Sequence, residues 1–265
     1  MNGMICMKKS ILFLLLVTVC SLQSISREEI LEKFSHEKYC SYQDVLINGD
    51  LLKQGKGPDC ASRYEAIKKA LQPYENRPVK VLDLGANSGY FSLRIAQDFD
   101  AICVLVDPSE LLTDVCRLND EVRGIVHFKK EASLEDLKFL AKEEHFDVVL
   151  GLNIIHFIDS WEDVTDVMFT LGNTIIIENP PLCDRFGEMR SQIISIDEYL
   201  ESKNNSEIIA LTIQFPFKER TGFPDVGKMF HFVNDVMLPV QQSLKKSTID
   251  SFDTQYACSN IKFVD

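Results

Sequence analysis

Residues 81–92 read VLDLGANSGYFS, and no other stretch of the 265 residues constrains the fold as tightly. An apolar run ends at Leu84, a loop of small residues follows, and an aromatic pair opens the next segment. That is the profile of a buried strand turning sharply into a helix. A nucleoside-type ligand needs backbone N–H groups at such a helix start, with no Cβ atoms in the way. Gly85 and Gly89 meet that need, and Ala86 and Ser88 keep the loop small. Asp83, at the strand end, is placed to hold the loop by accepting its backbone hydrogen bonds. The spacing is G-x-x-x-G, whereas the dinucleotide fingerprint is G-x-G-x-x-G. Asn87 stands where a glycine would approach a pyrophosphate, which argues against NAD.

Strand and helix signals alternate on either side of this segment. Strands are predicted at 80–84, 101–106, 124–128, 146–150 and 174–178, with helices at 90–97, 109–118, 134–142 and 161–169. Ser109 and Ser133 are placed to cap two of these helices. Continuous apolar runs of five or six residues between amphipathic helices are what a parallel sheet covered on both faces requires. Upstream, 27–36 and 62–71 read as helices, the first with Ser26 as N-cap, and 38–58 reads as a loop-rich approach punctuated by Gly49, Gly55 and Gly57. Downstream, 183–199 reads as loop and helix. Segments 207–214 and 228–233 read as two strands of a terminal antiparallel hairpin, and a helix signal covers 236–244. The expected fold is therefore α/β: a doubly wound, Rossmann-like sheet, mostly parallel, with a C-terminal antiparallel hairpin and flanking helices.

The second strand ends in Asp107, 24 residues after Asp83. An acid there can take both hydroxyls of a ribose, and the glycine loop before it favours that role over capping the next helix.

With these residues in place, VLDLGANSGYFS followed by VLVDPS resembles the first two motifs of the Rossmann-like, class I S-adenosylmethionine methyltransferases. FDVVLGLNIIHFI, at 146–158, is similar to their motif after the fourth strand, with its LN-x-x-H core. The likeness runs over roughly 62–178 and departs from the commonest loop at Asn87, where a third glycine is usual. It implies S-adenosylmethionine as the cofactor, with Asp83, Gly85, Ala86, Asn87 and Gly89 around the methionine portion and Asp107 on the ribose. It places Glu131 or Ala132 near the adenine, and Asn153 and His156 facing the methyl donor or acceptor. Methyl transfer from a sulfonium needs alignment and a dry pocket more than a catalytic group. Where the acceptor carries a proton, His156 is the candidate general base, because an imidazole titrates near neutrality. Phe157 and Trp161 are candidate walls of the acceptor pocket, and Arg63 or Tyr64 candidate contacts of the donor carboxylate, while Lys68 reads as a solvated helix face. Asn179-Pro180-Pro181-Leu182 is similar to the NPP-aromatic motif of amino-group methyltransferases. It follows the fifth strand rather than the fourth and has leucine for the aromatic, so it reads as a strand-ending turn near the acceptor site.

A net charge of −12 argues against a nucleic-acid partner and leaves a small molecule or a protein as the expected acceptor. Lys8 and Lys9 precede the apolar run ILFLLLVTV, which gives way to small and polar residues by Ser26. This is the pattern of a secretory signal peptide, and the apolar run is shorter than the ~20 residues of a membrane-spanning helix. Export or membrane targeting is expected, with membrane contact through this segment alone if it is uncleaved. The expected organisation is a leader or anchor at 1–26, a helix-and-loop extension at 27–60, the methyltransferase domain at 61–234 and a C-terminal extension at 235–265. Six cysteines follow the leader at wide spacings without a C-x-x-C pair, so neither a disulfide framework nor a zinc site is expected, and Cys103 reads as a small hydrophobe in a buried strand. The rival to an active enzyme is a binding protein that keeps the fold without turnover.

Overall fold

A computed structural model describes residues 26–35, 42–182, 189–213, 226–252, 254–257 and 263–264. The segment 1–25 expected to be a leader and the stretches 183–188 and 214–225 lie outside the described residues. An eight-stranded sheet forms the centre. Five parallel strands run in the order β5 (Ile125–Phe128), β4 (Ala101–Val106), β3 (Val79–Leu84), β6 (Phe146–Leu152) and β7 (Gly172–Asn179). Beyond β7, β9 (Val226–Val233) pairs antiparallel with it and with the edge strand β8 (Glu207–Ile213), so the expected hairpin is present.

Alternation along the strands shows why the sheet is covered on both faces. Val81, Cys103, Leu105, Val148, Leu150 and Ile176 enter one apolar cluster, with Tyr64, Ile67, Phe91 and Leu112 of helices α2 (Cys60–Ala70), α3 (Tyr90–Asp98) and α4 (Glu110–Leu118). Their neighbours Leu82, Val104, Val149, Ile175 and Ile177 enter the other. There they meet Leu137, Met168 and Ile196 of α5 (Leu134–Glu143), α6 (Trp161–Leu171) and α7 (Arg190–Ser202). A period of two with both sets apolar permits only a sheet buried on both sides. Cys103 lies fully buried among them with a free thiol, as its strand position implied.

The helix starts follow the expected chemistry in part. Ser133 caps α5 in a reciprocal capping box with Asp136. Ser26 and Glu29 exchange the same pair of bonds at α1 (Arg27–Ser35). Ser109 holds the N-cap position of α4, but its side chain makes no capping bond.

Three elements differ from the sequence reading. The approach segment contains a hairpin, β1 (Val45–Ile47) and β2 (Asp50–Lys53), turned by Asn48 and Gly49 at φ +48° and +89°. Asn-Gly is the residue pair that a two-residue turn with positive φ at both positions demands. Residues 236–244 do not form a helix. Pro239 forces Leu238 away from helical backbone, and Asn173 clasps Leu238 through both its N–H and its carbonyl, at 2.8 Å each. Finally, β10 (Thr254–Ala257) adds antiparallel to β5 at the far edge. The path to it is fixed at the N-terminal end of the sheet. There buried Lys80 meets Glu144 and the Ser243 carbonyl, and Glu144 takes the Lys245 N–H and the Thr248 hydroxyl.

The chain leaves β3 toward β4 and β5 on one side and returns to β6 and β7 on the other. The loops after β3 and β6 therefore diverge and open a crevice at the C-terminal ends of the strands, the usual ligand position in such sheets.

Candidate functional site

The crevice is built from the loop that the glycines define. Gly85 has φ +70° and donates its N–H to the Val106 carbonyl at 2.9 Å, which binds the loop to the end of β4. A Cβ on Gly85 would lie 2.8 Å from Ile154 Cγ1, so the close approach of the loop after β6 also requires glycine there. Asn87 has φ +57°, a conformation that asparagine tolerates better than most residues. Its N–H donates to Asp107 Oδ2 at 2.9 Å, and Asp107 Oδ1 accepts the Ser109 N–H at the same distance. Each carboxylate oxygen thus spends one acceptor site on the backbone and keeps another. Burial raises the Asp107 pKa above its ordinary value, and the two N–H groups pull it back. His127 fixes the same residue from behind, its Nε2 lying 2.8 Å from the Asp107 carbonyl and its Nδ1 3.0 Å from the Thr113 hydroxyl.

Two cavities, each of about 500 Å³, meet over this loop and share Gly85, Asp107, Ile154 and Phe157. The first extends over Asn87, Asn153 and His156 to Pro180 and Met189. The second runs under Glu131 and Ala132 toward Leu137 and Val164. Of the residues that the sequence singled out, Gly85, Asn87, Asp107, Glu131, Ala132, Asn153 and His156 are therefore brought to one crevice. Asp83, Ala86 and Gly89 lie behind the wall. Asp83 is buried and its recorded partner is the Ser92 hydroxyl at 2.7 Å, not the loop backbone that the sequence suggested. Burial, assisted by the nearby Asp107 charge, pushes its pKa up to about 7. Ala86 is wholly buried, and Gly89 packs against Leu112.

The helix before β3 behaves differently from expectation. Tyr64 turns away, donating to Asp98 and the Arg94 carbonyl, whereas Lys68 lies on a solvated helix face as expected, paired there with the same Asp98. Arg63 does not line either cavity. It is buried, pairs with buried Glu178 at the end of β7, and stacks over Phe91 at 4.7 Å. Its Nε and Nη1 have no hydrogen-bond partner among the described residues. Burial lifts the Glu178 carboxyl above its ordinary value, and the guanidinium pulls it back without cancelling the shift. Trp161 faces Tyr199 edge-on instead of the cavity, whereas Phe157 is 60% exposed at the junction of both cavities, its ring 4.0 Å from that of His156. Pro180 lines the first cavity, and Asn179 ties the turn to α7 through the Ile193 carbonyl and Asp197.

Sequence reasoning missed Tyr42 and Gln43, which close the first cavity from the N-terminal side. Tyr42 Oη accepts from Asn153 Nδ2 at 2.9 Å, and Gln43 Oε1 accepts the Tyr90 N–H at 3.2 Å. The available signal was Gly57, whose N–H donates to the Tyr42 carbonyl at 2.8 Å and where a Cβ would lie 2.5 Å from that oxygen.

This strand order and glycine loop define a Rossmann-like fold. Residues 81–171 match a family described as methyltransferase domain. It is similar to tRNA U34 carboxymethyltransferase from Histophilus somni (strain 129Pt), 25% identical over 196 residues, which cover 66% of this chain and 58% of that protein. It is also similar to the O-antigen chain terminator bifunctional methyltransferase/kinase WbdD of Escherichia coli, 30% identical over 116 residues, covering 41% of this chain and 16% of that protein. A solved structure of the bifunctional kinase-methyltransferase WbdD superimposes with a TM-score of 0.56 at 21% identity, over 81% of this chain and 47% of that one, which supports the fold. The chain thus spans little more than half the length of the first relative and a smaller part of the second.

Proposed function

We propose that this protein transfers a methyl group from S-adenosylmethionine to a small-molecule or protein acceptor. The observation that carries the reading is Asp107, a half-buried carboxylate with spare acceptor sites at the junction of two cavities. The residues present fit the donor. Asp107 would take the ribose hydroxyls, and the cavity under Glu131 and Ala132 would take the adenine. The loop at Gly85 and Asn87 would face the methionine portion, with Asn153 opposite. The orphaned Nε and Nη1 of Arg63 suit the donor carboxylate once Tyr42, whose ring centre lies 5.9 Å from the guanidinium carbon, gives way. When bound, the donor supplies an electrophilic sulfonium methyl group. The chain's contribution is alignment and exclusion of water, with His156 taking a proton from the acceptor.

The carboxymethyl relative raises the question of which group is transferred. A carboxymethyl donor brings an additional carboxylate, and the described lining of the first cavity holds no lysine or arginine to receive it. Methyl transfer therefore suits the site better. The leader supports a second reading, a non-catalytic binding protein in a compartment without donor. Titration calorimetry with S-adenosylmethionine and with NAD tests both: micromolar binding of the first alone is expected, and binding of neither would sink the enzyme. Donor binding without turnover on any acceptor would favour the second reading.

A further inference from the structure

The wall of the first cavity beyond the donor loop carries information about the acceptor. It consists of Leu152, Ile154, Phe157, Pro180 and Met189, with Tyr42, Gln43, Asn153 and His156 as its polar groups. Among the described residues no lysine or arginine lines it, and its one acid is Asp107, assigned to the ribose. A phosphate-rich acceptor needs lysines and arginines to replace its counterions, and a buried carboxylate needs a paired cation. An ammonium acceptor would need an acid beyond the one already used. The exposed ring of Phe157 offers a stacking face, and the Met189 thioether a soft contact for a ring edge.

We infer that the acceptor is a small, uncharged aromatic compound bearing a hydroxyl group, not a nucleic acid or a polysaccharide. This rests on the methyltransferase reading above. The acceptor oxygen bonds to the methyl carbon as the carbon–sulfur bond breaks, its electron pair staying on sulfur. The hydroxyl proton passes to His156, so charge and atoms balance. The aromatic ring lies against Phe157 and Met189, and the oxygen points inward between Asn153 and His156.

The test uses the full chain and methyl-labelled S-adenosylmethionine. Donor binding is first established by calorimetry, and its absence refutes the methyltransferase reading itself. With the donor bound, 4-methylphenol and 2-naphthol are compared with 4-hydroxybenzoate and 6-hydroxy-2-naphthoate, and with unmodified tRNA and lipopolysaccharide. At least a 100-fold higher kcat/KM for each uncharged phenol than for its carboxylated counterpart is expected, with no label in either polymer. Label confined to the carboxylated compounds, to tRNA or to polysaccharide overturns the inference, as does transfer to none of them. Met189→Lys supplies the charge arm. It should raise KM for 2-naphthol at least tenfold and lower it for 6-hydroxy-2-naphthoate, with donor affinity within twofold of wild type. A parallel change for both compounds contradicts the placement of the ring at Met189.

Discussion

Asp107→Ala is the perturbation that probes the donor site most directly. In the wild type, the Asp107 oxygens each accept one backbone N–H and keep a site for a ribose hydroxyl. Hydrogen bonds to a charged partner contribute about 1.5–3 kcal/mol each. Burial already disfavours the ionised carboxylate, so part of that gain is offset when the acid is removed. About 3 kcal/mol is a fair net loss for two bonds, which raises Kd on the order of 100-fold. The assay is calorimetry with S-adenosylhomocysteine, whose ribose is the same and which cannot turn over.

Asp107 also tethers Asn87, so weaker binding alone could reflect a displaced loop. A 2′,3′-dideoxy analogue of the ligand separates the two effects as a double-mutant cycle. The analogue should bind the wild type about 100-fold more weakly than the parent, yet bind Asp107→Ala about as well as the parent does. Equal weakening of both ligands by the substitution would place Asp107 in loop architecture alone. Unchanged affinity for the parent would refute the ribose assignment outright.

Four further outcomes are expected. His156→Gln should lower kcat on a hydroxyl acceptor about 100-fold or more while donor Kd stays within threefold, and an unchanged kcat would remove the base. Burial lifts the Asp83 pKa to about 7 in the folded protein, against an ordinary 3.8, so the folded protein holds a proton that the unfolded chain releases. The Asp83 contribution to stability is thus greatest at acid pH and falls as pH rises from about 4 through 7, by about 4 kcal/mol. Urea melts of Asp83→Asn should lose that slope, and an identical slope would clear Asp83 of it. Lys80→Met strands the buried Glu144 carboxylate and should cost about 3–5 kcal/mol while exposing the segment around Ser243 to protease. A loss below about 1 kcal/mol would mean that this pair does not hold the C-terminal path. Mass spectrometry of protein from its own cells should find an N-terminus at Leu22, Ile25 or Arg27, and a retained leader would refute cleavage.

What the sequence disclosed and what it hid divide along physical lines. The five parallel strands were legible because burial on both faces demands unbroken apolar runs, and β4 matched at both ends. The donor loop was legible because positive φ and close approach restrict residue type. The hairpin at Val45–Lys53 was harder, since strands of three and four residues carry too few positions for a period, although Asn48-Gly49 announced its turn. The end of the apparent helix at 236–244 depended on a clasp from Asn173, some 65 residues away, which no local pattern contains. Tyr42 and Gln43 escaped for the same reason. They reach the crevice only because β1 packs beside α3 and α4, bringing a distant segment over the glycine loop.

The two aspartates of the opening motif pair show how the fold assigns different work to like groups. Asp83 and Asp107 lie at the ends of adjacent parallel strands, close enough for the Asp107 charge to raise the Asp83 pKa. The asymmetry comes from what surrounds them. Asp107 receives two backbone N–H groups and opens to the cavities, so its ionised form is supported where a ligand can use it. Asp83 receives a side-chain hydroxyl and no solvent, and its pKa rises toward neutrality. A protonated Asp83 relieves Asp107 of a like charge and lets one anion stand alone at the ribose position.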